Sequence, residues 1–233
     1  VVSGSGNGSG AGLTAVSSGT VTIGNSDVFA ETKLDADAAA KLVDHEVAVV
    51  GMGPIVSKNV TVDDLTLEQL KGIFGGTITN WKEVGGEDAR SSWSTARRAP
   101  APVPPSRRPS LATRRTLQAR PARTGQVRRR PDPHGSTGNA ISYIDFSHFD
   151  DTKFTAIKVG GVEPESKNVL DNSFPIWATE HMYCAKDADD ATKAFLEYML
   201  SDDVQSSLVE EQGFIPVSEM AVVKDAEGNV SNK

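Results

Sequence analysis

The sequence predicts an α/β protein, in which strands and helices alternate along the chain. A glycine-rich turn, GSGNGSGAG at residues 4–12, lies between a short extended stretch and a helix-forming stretch, GLTAVSSG. The strand-like TVTIG follows directly, which gives the order strand, glycine loop, helix, strand. At 233 residues with 38% apolar residues, the chain can bury a substantial core in one large domain or two lobes.

The residues before 90 continue this alternation. A helical stretch, LDADAAAKLV, precedes a strongly apolar strand, EVAVVGMGPIV. Thr66 and Gln69 then have capping-box spacing, and Gly75 and Gly76 end the helix that follows. Its apolar positions recur with a helical period at Leu67, Leu70 and Ile73.

The same pattern returns after residue 138. Three stretches predict strands, namely AISYIDF, FTAIKVGG and FPIWATEHMYCA. Residues 187–200 predict an amphipathic helix with Phe195, Leu196 and Met199 on its apolar side, and DDVQSSLVEEQG predicts another helix that ends at Gly213. These elements extend the α/β prediction to the C-terminal part of the chain.

Composition excludes several classes of protein. No run of about 18 apolar residues predicts a membrane span, and no charged-then-apolar opening marks a signal peptide, so we expect any export signal to be encoded upstream. The single cysteine, Cys184, cannot form an internal disulfide. Its neighbours offer no metal-ligand spacing, and His181, three residues earlier, is a lone hint of a metal. We expect Cys184 to be a packed or half-exposed thiol.

The net charge of −7 hides a sharp partition. All twelve arginines lie within residues 90–130, a stretch without lysine, aspartate or glutamate. Outside it, twelve lysines face thirty-one acidic residues, a formal balance of −19. The chain is therefore an acidic protein with a basic insert, and its overall field does not favour polyanions.

The glycine-rich turn is a candidate anion site. A glycine loop before a helix exposes backbone N–H groups at the positive helix end, and Ser9 adds a hydroxyl donor beside Gly10. Asp27 follows the strand TVTIG and is expected at the same strand-end rim. Two other interpretations stay open: the loop as an ordinary connector, and Asp27 as a helix N-cap or turn residue.

A carboxylate beside an anion pocket restricts which anion can bind. Phosphate at neutral pH still carries a proton and can donate a hydrogen bond to Asp27. Sulfate has no such proton and would meet charge repulsion. Asp27 is thus expected to select phosphate over sulfate.

Several segments together resemble a known family. The strings GNGSGAGLTAVSSGTVTIGNSD, LTLEQLKGIFGGTITNWKEVGG, NAISYIDFSHF and AFLEYMLSDDVQSSLVEEQGFIPVS are similar to the phosphate-binding proteins (PstS family) of bacterial and archaeal phosphate ABC importers. The resemblance covers about residues 1–89 and 138–220. It implies a type II periplasmic-binding-protein fold, in which two α/β lobes are joined by crossover strands and phosphate lies between them.

The resemblance also implies lobe boundaries and site residues. Residues 1–52 and 178–233 would form lobe 1, and residues 53–177 would form lobe 2, with EVAVVGMGPIV and FPIWATEHMYCA as the crossovers. Ser9, with Gly10 beside it, matches the family's hydroxyl donor at a helix start, and Asp27 matches the aspartate that accepts the phosphate proton. The family's first strand, serine/threonine loop and helix would precede this chain.

The second-lobe motif of the family, an arginine and an acid followed by GSGT, should fall within the arginine-proline stretch. When the codons there are shifted by one frame, residues 91–114 can be translated as VVLVDREEGSGTRAAFEEAVLGDE, which contains the motif at positions 96–103. We therefore interpret residues 90–136 as frame-shifted translation. A basic disordered arm that binds nucleic acid or an anionic surface, and a solvated linker, are the alternatives; all three predict a disordered or poorly packed segment.

The function implied by the resemblance is capture of inorganic phosphate for an ABC importer, impaired here by the altered segment. No cofactor, metal or nucleic acid is expected, and no catalytic motif is present, so the protein is not expected to be an enzyme. A phosphate-ester hydrolase, the alternative class, would need a metal cluster or nucleophile motif. The expected partners are phosphate and the membrane permease, with the chain a monomer outside the cytoplasmic membrane, either lipid-anchored or free.

Overall fold

The computed structural model describes residues 8–93 and 138–233. The arginine-proline stretch lies outside these ranges from residue 94 onward, so the three interpretations of that stretch stay predictions. Its first residues are within the described part and are paired: Arg90 forms a β-bridge with Asn80, and β4 (Ser92–Trp93) follows. Regular structure therefore continues slightly beyond the point where the sequence pattern changes.

The chain begins with a helix packed on a strand, as predicted. Helix α1 (Ser9–Ser17) is followed by strand β1 (Ile23–Ser26). The strand starts a few residues later than TVTIG suggested, because Gly19 has a φ of 71° and the amides of Gly19 and Thr20 close the end of the helix. Asp27 still follows the strand directly.

Helix α2 (Ala36–Ala39) is a single turn, shorter than LDADAAAKLV predicted. Asp35 caps it by accepting a hydrogen bond from the amide of Ala38. The helix cannot continue because Leu42 already pairs with Ala185 as the first residue of β2 (Leu42–Ser57). Tertiary pairing thus overrides the helical propensity of the alanines.

Strand β2 spans 16 residues and links two parts of one sheet. Residues 42–51 pair antiparallel with β8 (Trp177–Ala185), and residues 52–56 pair antiparallel with β5 (Ala140–Asp145). Within residues 8–93 and 138–233 the sheet has six strands. Five follow the order β1-β8-β2-β5-β4, and β6 (Phe154–Ala156) pairs with the end of β2. Among these described strands, β4 and β5 form the one parallel pair.

The middle of the chain contains a helix with the predicted caps. Strand β3 (Asp64–Leu65) pairs parallel with β7 (Lys158–Val159), and α3 (Leu67–Gly75) begins with the predicted capping box between Thr66 and Gln69. Gly76 ends α3 in the left-handed conformation. Leu70 and Ile73 are buried, but Leu67 is 39% exposed and lies off the packed side.

The remaining elements are short helices and a terminal hairpin. Helix α4 (Ser166–Val169) precedes β8, and α5 (Asp190–Met199) follows it with Leu196 fully buried. The helix predicted over residues 202–213 is present, with a π-helical stretch at Val204–Val209. Strands β9 (Val222–Lys224) and β10 (Val230–Asn232) form the hairpin. Within the described ranges, no helix has the length and apolar run needed to cross a bilayer.

In the part of the chain that the structure describes, three hydrophobic clusters hold the sheet and helices together. The largest lies around Trp81, Phe174 and Ile141 and includes Ile215 and Met220 from the C-terminal part. A second, formed around Leu13, Val16 and Tyr183, joins α1 to the sheet. A third joins Ala48 to the π-helical stretch. The mixed α/β prediction is confirmed, whereas the predicted lobe boundaries stay predictions.

Candidate functional site

Asp27 lies at the end of β1, in a turn that the preceding serine fixes. The hydroxyl of Ser26 is buried; it donates to the carbonyl of Val28 at 2.5 Å and accepts from the amide of Val28 at 3.1 Å. The carboxylate of Asp27 is left exposed. The local sequence thus presents one acidic side chain at the strand end.

Ser9 is the first residue of α1, which begins without a side-chain cap. Gly8 is the N-cap, with a φ of 81° that favours glycine, and its carbonyl accepts from the amides of Ala11 and Gly12. The amides of Ser9 and Gly10 come before these and have no partner within the helix. This end of α1 therefore offers two amide donors and a hydroxyl, with no acidic residue in its first turn.

The structure brings Ser9 and Asp27 together. The hydroxyl of Ser9 donates to the Oδ1 atom of Asp27, and the amide of Asp27 donates to the Ser9 Oγ at 3.2 Å. A donor and an acceptor thus satisfy each other at an exposed point beside the helix end. A ligand that can both accept from Ser9 and donate to Asp27 could replace this direct bond without leaving either group unpaired.

Two glycines allow α1 to lie against β1 closely enough for that contact. A Cβ atom added to Gly12 would lie 2.5 Å from the carbonyl oxygen of Asn25, and one added to Gly24 would lie 2.5 Å from the carbonyl oxygen of Gly12. Any larger residue would push the helix off the strand. At Gly10, by contrast, an added Cβ would meet nothing among the described residues.

One described cavity lies close to this pair in sequence but on the other side of the sheet. It has a volume of about 270 Å³ and is lined by Asn25, Met182, Met199, Leu208 and Phe214, among others. Asn25 and Met182 are paired residues that alternate with Gly24 and Tyr183, so they point to the opposite face of the sheet from α1. Its largely apolar lining suits no small anion.

The described residues contain one serine, histidine and aspartate cluster, which the sequence did not single out. His148 Nδ1 lies 2.6 Å from Asp145 Oδ1 and 2.9 Å from Ser147 Oγ, and Ser147 also bonds Asp145. Burial alone would raise the pKa of Asp145, but the hydrogen bonds from Ser147 and His148 outweigh it and hold that pKa below its ordinary value. Because the serine and the acid meet the same ring nitrogen, the imidazole cannot relay a proton between them.

His181 and Cys184 do not form a metal site. His181 is 2% exposed and binds Asp44 through Nδ1, whereas Cys184 lies three positions along the same strand and faces the other way. Burial raises the pKa of the Cys184 thiol, and the packed-thiol prediction is confirmed. Across residues 8–93 and 138–233, no group of three or more histidine, cysteine or acidic residues could hold a metal ion.

Comparison with known proteins identifies the family. Residues 1–203 match the model of the PBP superfamily domain. The chain is 43% identical over 236 residues to the phosphate-binding protein PstS of Bacillus subtilis strain 168. The aligned region covers 96% of this chain and 74% of that protein.

The chain belongs to the PstS family of phosphate-binding proteins.

Solved structures agree with this assignment. The TM-score is 0.65 to a phosphate-bound protein from Clostridium perfringens assigned to the substrate-binding proteins of phosphate ABC transporters, with 27% identity over 90% of this chain and 85% of that one. An ABC-type phosphate transport receptor from Vibrio cholerae shares the fold at the same TM-score, with 21% identity over 90% and 86%. The predicted periplasmic-binding-protein fold is confirmed.

The PstS-family motif expected in the second lobe lies outside the described residues. Ser9, Gly10 and Asp27 are therefore the predicted site residues that the structure describes, and their role in binding stays a prediction. Sequence reasoning missed the polar partners behind them, above all Asp44. The local sequence offered little to find them: His45 directly follows Asp44, and the pattern EHMYC contains His181 and Tyr183.

Proposed function

We propose that this chain is an extracytoplasmic substrate-binding protein that captures inorganic phosphate for an ABC importer, with Ser9, Gly10 and Asp27 forming one side of the phosphate site. The observation that supports this role most directly is the Ser9–Asp27 pair at the start of α1. It combines donors at a positive helix end with a single acceptor, in a chain that is 43% identical to a phosphate-binding protein.

The chemistry of phosphate fits this combination. Unprotonated phosphate oxygens can accept hydrogen bonds from the Ser9 hydroxyl and from the amides of Ser9 and Gly10. The remaining P–OH group can donate to the Asp27 carboxylate. Binding makes and breaks no covalent bond. In the cluster of Asp145, Ser147 and His148, the imidazole cannot activate Ser147 as a nucleophile, because Ser147 and Asp145 meet the same ring nitrogen. Both points favour a binding role over catalysis.

The partner of this binding protein would be the membrane permease of the importer, and the chain would act as a monomer. Delivery from outside the membrane is consistent with the extracytoplasmic location of PstS-type proteins. Whether the chain is lipid-anchored or free does not affect the chemistry of the site.

Calorimetry tests the role and the effect of the altered segment together. Loss of three charge-assisted hydrogen bonds from the second lobe, at roughly 1.5 to 2 kcal/mol each, lowers affinity by about 5 kcal/mol, more than a thousandfold. We therefore expect weak phosphate binding by this chain. We expect tight binding by a version in which residues 91–114 carry VVLVDREEGSGTRAAFEEAVLGDE and the family's first strand, serine/threonine loop and helix precede residue 1.

Each alternative outcome has a distinct meaning. Equal affinities in the two versions would refute the frame-shift interpretation while keeping the role of Ser9 and Asp27. No heat of binding in either version would refute the proposed function. Hydrolysis of phosphate esters by the purified chain, abolished by EDTA, would favour an enzyme.

A further inference from the structure

A polar cluster of two buried side chains, His181 and Tyr183, and the partly exposed Asp44 lies between β2 and β8, directly behind the turn that carries Asp27. The Asp44 carboxylate accepts from the Tyr183 hydroxyl at 2.9 Å, and His181 Nδ1 lies 2.9 and 3.0 Å from its two oxygens. The His181 side chain is 1% exposed and that of Asp44 is 32% exposed. The three side chains point to the same face of the sheet as Gly24, the face on which α1 lies.

Residues 27–30 form the turn that contacts this cluster. The amide of Ala30 donates to the Tyr183 hydroxyl oxygen at 3.1 Å, and Ala30 is 1% exposed. The Phe29 ring lies 4.6 Å from the His181 ring, centroid to centroid. Two consecutive residues of the turn are therefore fastened to two members of the cluster, while Asp27, at the start of the same turn, faces solvent.

The direction of the Tyr183 hydroxyl follows from its two partners. It has a single proton, and because Asp44 is an acceptor the proton points to Asp44, which leaves a lone pair for the Ala30 amide. Burial and the Asp44 charge raise the pKa of Tyr183 above its ordinary value, although the bond from Ala30 opposes them, so the hydroxyl keeps its proton. Asp44 thereby fixes the acceptor that holds the turn.

We propose that Asp44 is a positioning residue for the phosphate site, which acts through Tyr183 and His181 to fix the turn that presents Asp27. Asp44 itself contacts neither Asp27 nor Ser9 by any hydrogen bond of the described residues. The expected effect of Asp44 on phosphate affinity rests on the proposed function. The expected effect of Asp44 on the turn at residues 27–30 does not.

The test measures the turn and the ligand in one sample. Hydrogen exchange of the Ala30 amide is followed by NMR in this chain, and phosphate is then titrated while the Asp27 amide shift is recorded. Tyr183→Phe removes the acceptor and leaves the buried Ala30 amide unpaired. We expect its exchange to accelerate roughly three- to tenfold and the phosphate affinity to fall by a similar factor.

Two further variants separate positioning from general destabilisation. Tyr198→Phe removes the same atom from an exposed tyrosine on α5 and should leave Ala30 exchange unchanged. Asp44→Asn keeps only one oxygen for two partners, so we expect a smaller acceleration at Ala30. Adding it to Tyr183→Phe should have no further effect at that amide, because both changes break one chain of contacts.

The outcomes distinguish the two proposals. Unchanged Ala30 exchange in Tyr183→Phe, or equal acceleration in Tyr198→Phe, overturns the positioning role. Faster exchange with unaltered phosphate affinity also overturns it. If the unaltered chain shows no phosphate-induced shift, the proposed function fails for this chain, and the exchange data alone decide whether Asp44 fixes the turn.

Discussion

At the scale of single residues, the Ser9–Asp27 bond determines what a ligand must offer. The Ser9 hydroxyl and the Asp27 carboxylate already form a hydrogen bond with each other. An anion that only accepts hydrogen bonds would take the Ser9 hydroxyl as its donor, but it would leave the Asp27 carboxylate without that partner and next to a second negative charge. A protonated oxyanion avoids this cost because it can donate to the carboxylate. Selectivity between phosphate and sulfate is therefore expected to depend on one side chain.

Asp27→Asn tests that selectivity. The amide removes the negative charge and adds an N–H donor, so we expect the preference for phosphate over sulfate to fall about ten- to hundredfold, the value of one charge-assisted hydrogen bond. Competition calorimetry with the two anions measures it, in whichever version of the chain binds phosphate. Asp37→Asn, at an exposed position of α2, is the charge-matched control. An unchanged preference would mean that Asp27 only orders Ser9.

At the scale of elements, the contact between α1 and β1 depends on Gly12 and Gly24. Each glycine lies where an added Cβ atom would be 2.5 Å from a backbone carbonyl oxygen of the opposing element. A side chain could change its rotamer to make room, but a backbone atom cannot. The helix must therefore shift for any larger residue, and Ser9 would move with it. The glycines set the distance between the two site residues.

Gly24→Ala should lower stability by about 1 to 3 kcal/mol, the usual cost of overpacking, and should lower phosphate affinity further than the loss of stability explains. Urea unfolding and calorimetry measure the two effects. Gly75→Ala at the end of α3 is the control, since its Cβ would meet nothing and its φ is not positive. Equal stability of the two variants would contradict the packing argument.

The same elements show why part of the molecule could be predicted and part could not. The capping box of Thr66 and Gln69 depends on residues three apart, and the order of α1, β1 and Asp27 depends on a contiguous string. Asp44, by contrast, meets His181 and Tyr183 across 137 and 139 residues, in a register that a bulge near Glu46 shifts. No local pattern contains that pairing.

At the scale of the whole molecule, β2 connects the parts of the fold. Its first half pairs with β8, which also pairs with β1 behind the candidate site, and its second half pairs with β5 and β6. Gly51 and Gly53 lie at the change of partner, where the rings of Phe146 and Phe149 cover them. Only glycine leaves room for those rings on the strand.

Because β2 pairs with strands in both parts of the sheet, loss of order in one part removes partners from the other. Separating β8 from residues 42–51 would strip partners from a strand that also holds β5 and β6 in place, which makes partial melting costly. We expect the described fold to unfold in one cooperative step, with calorimetric and van't Hoff enthalpies that agree. Two resolved transitions would show that the continuity of β2 does not couple them.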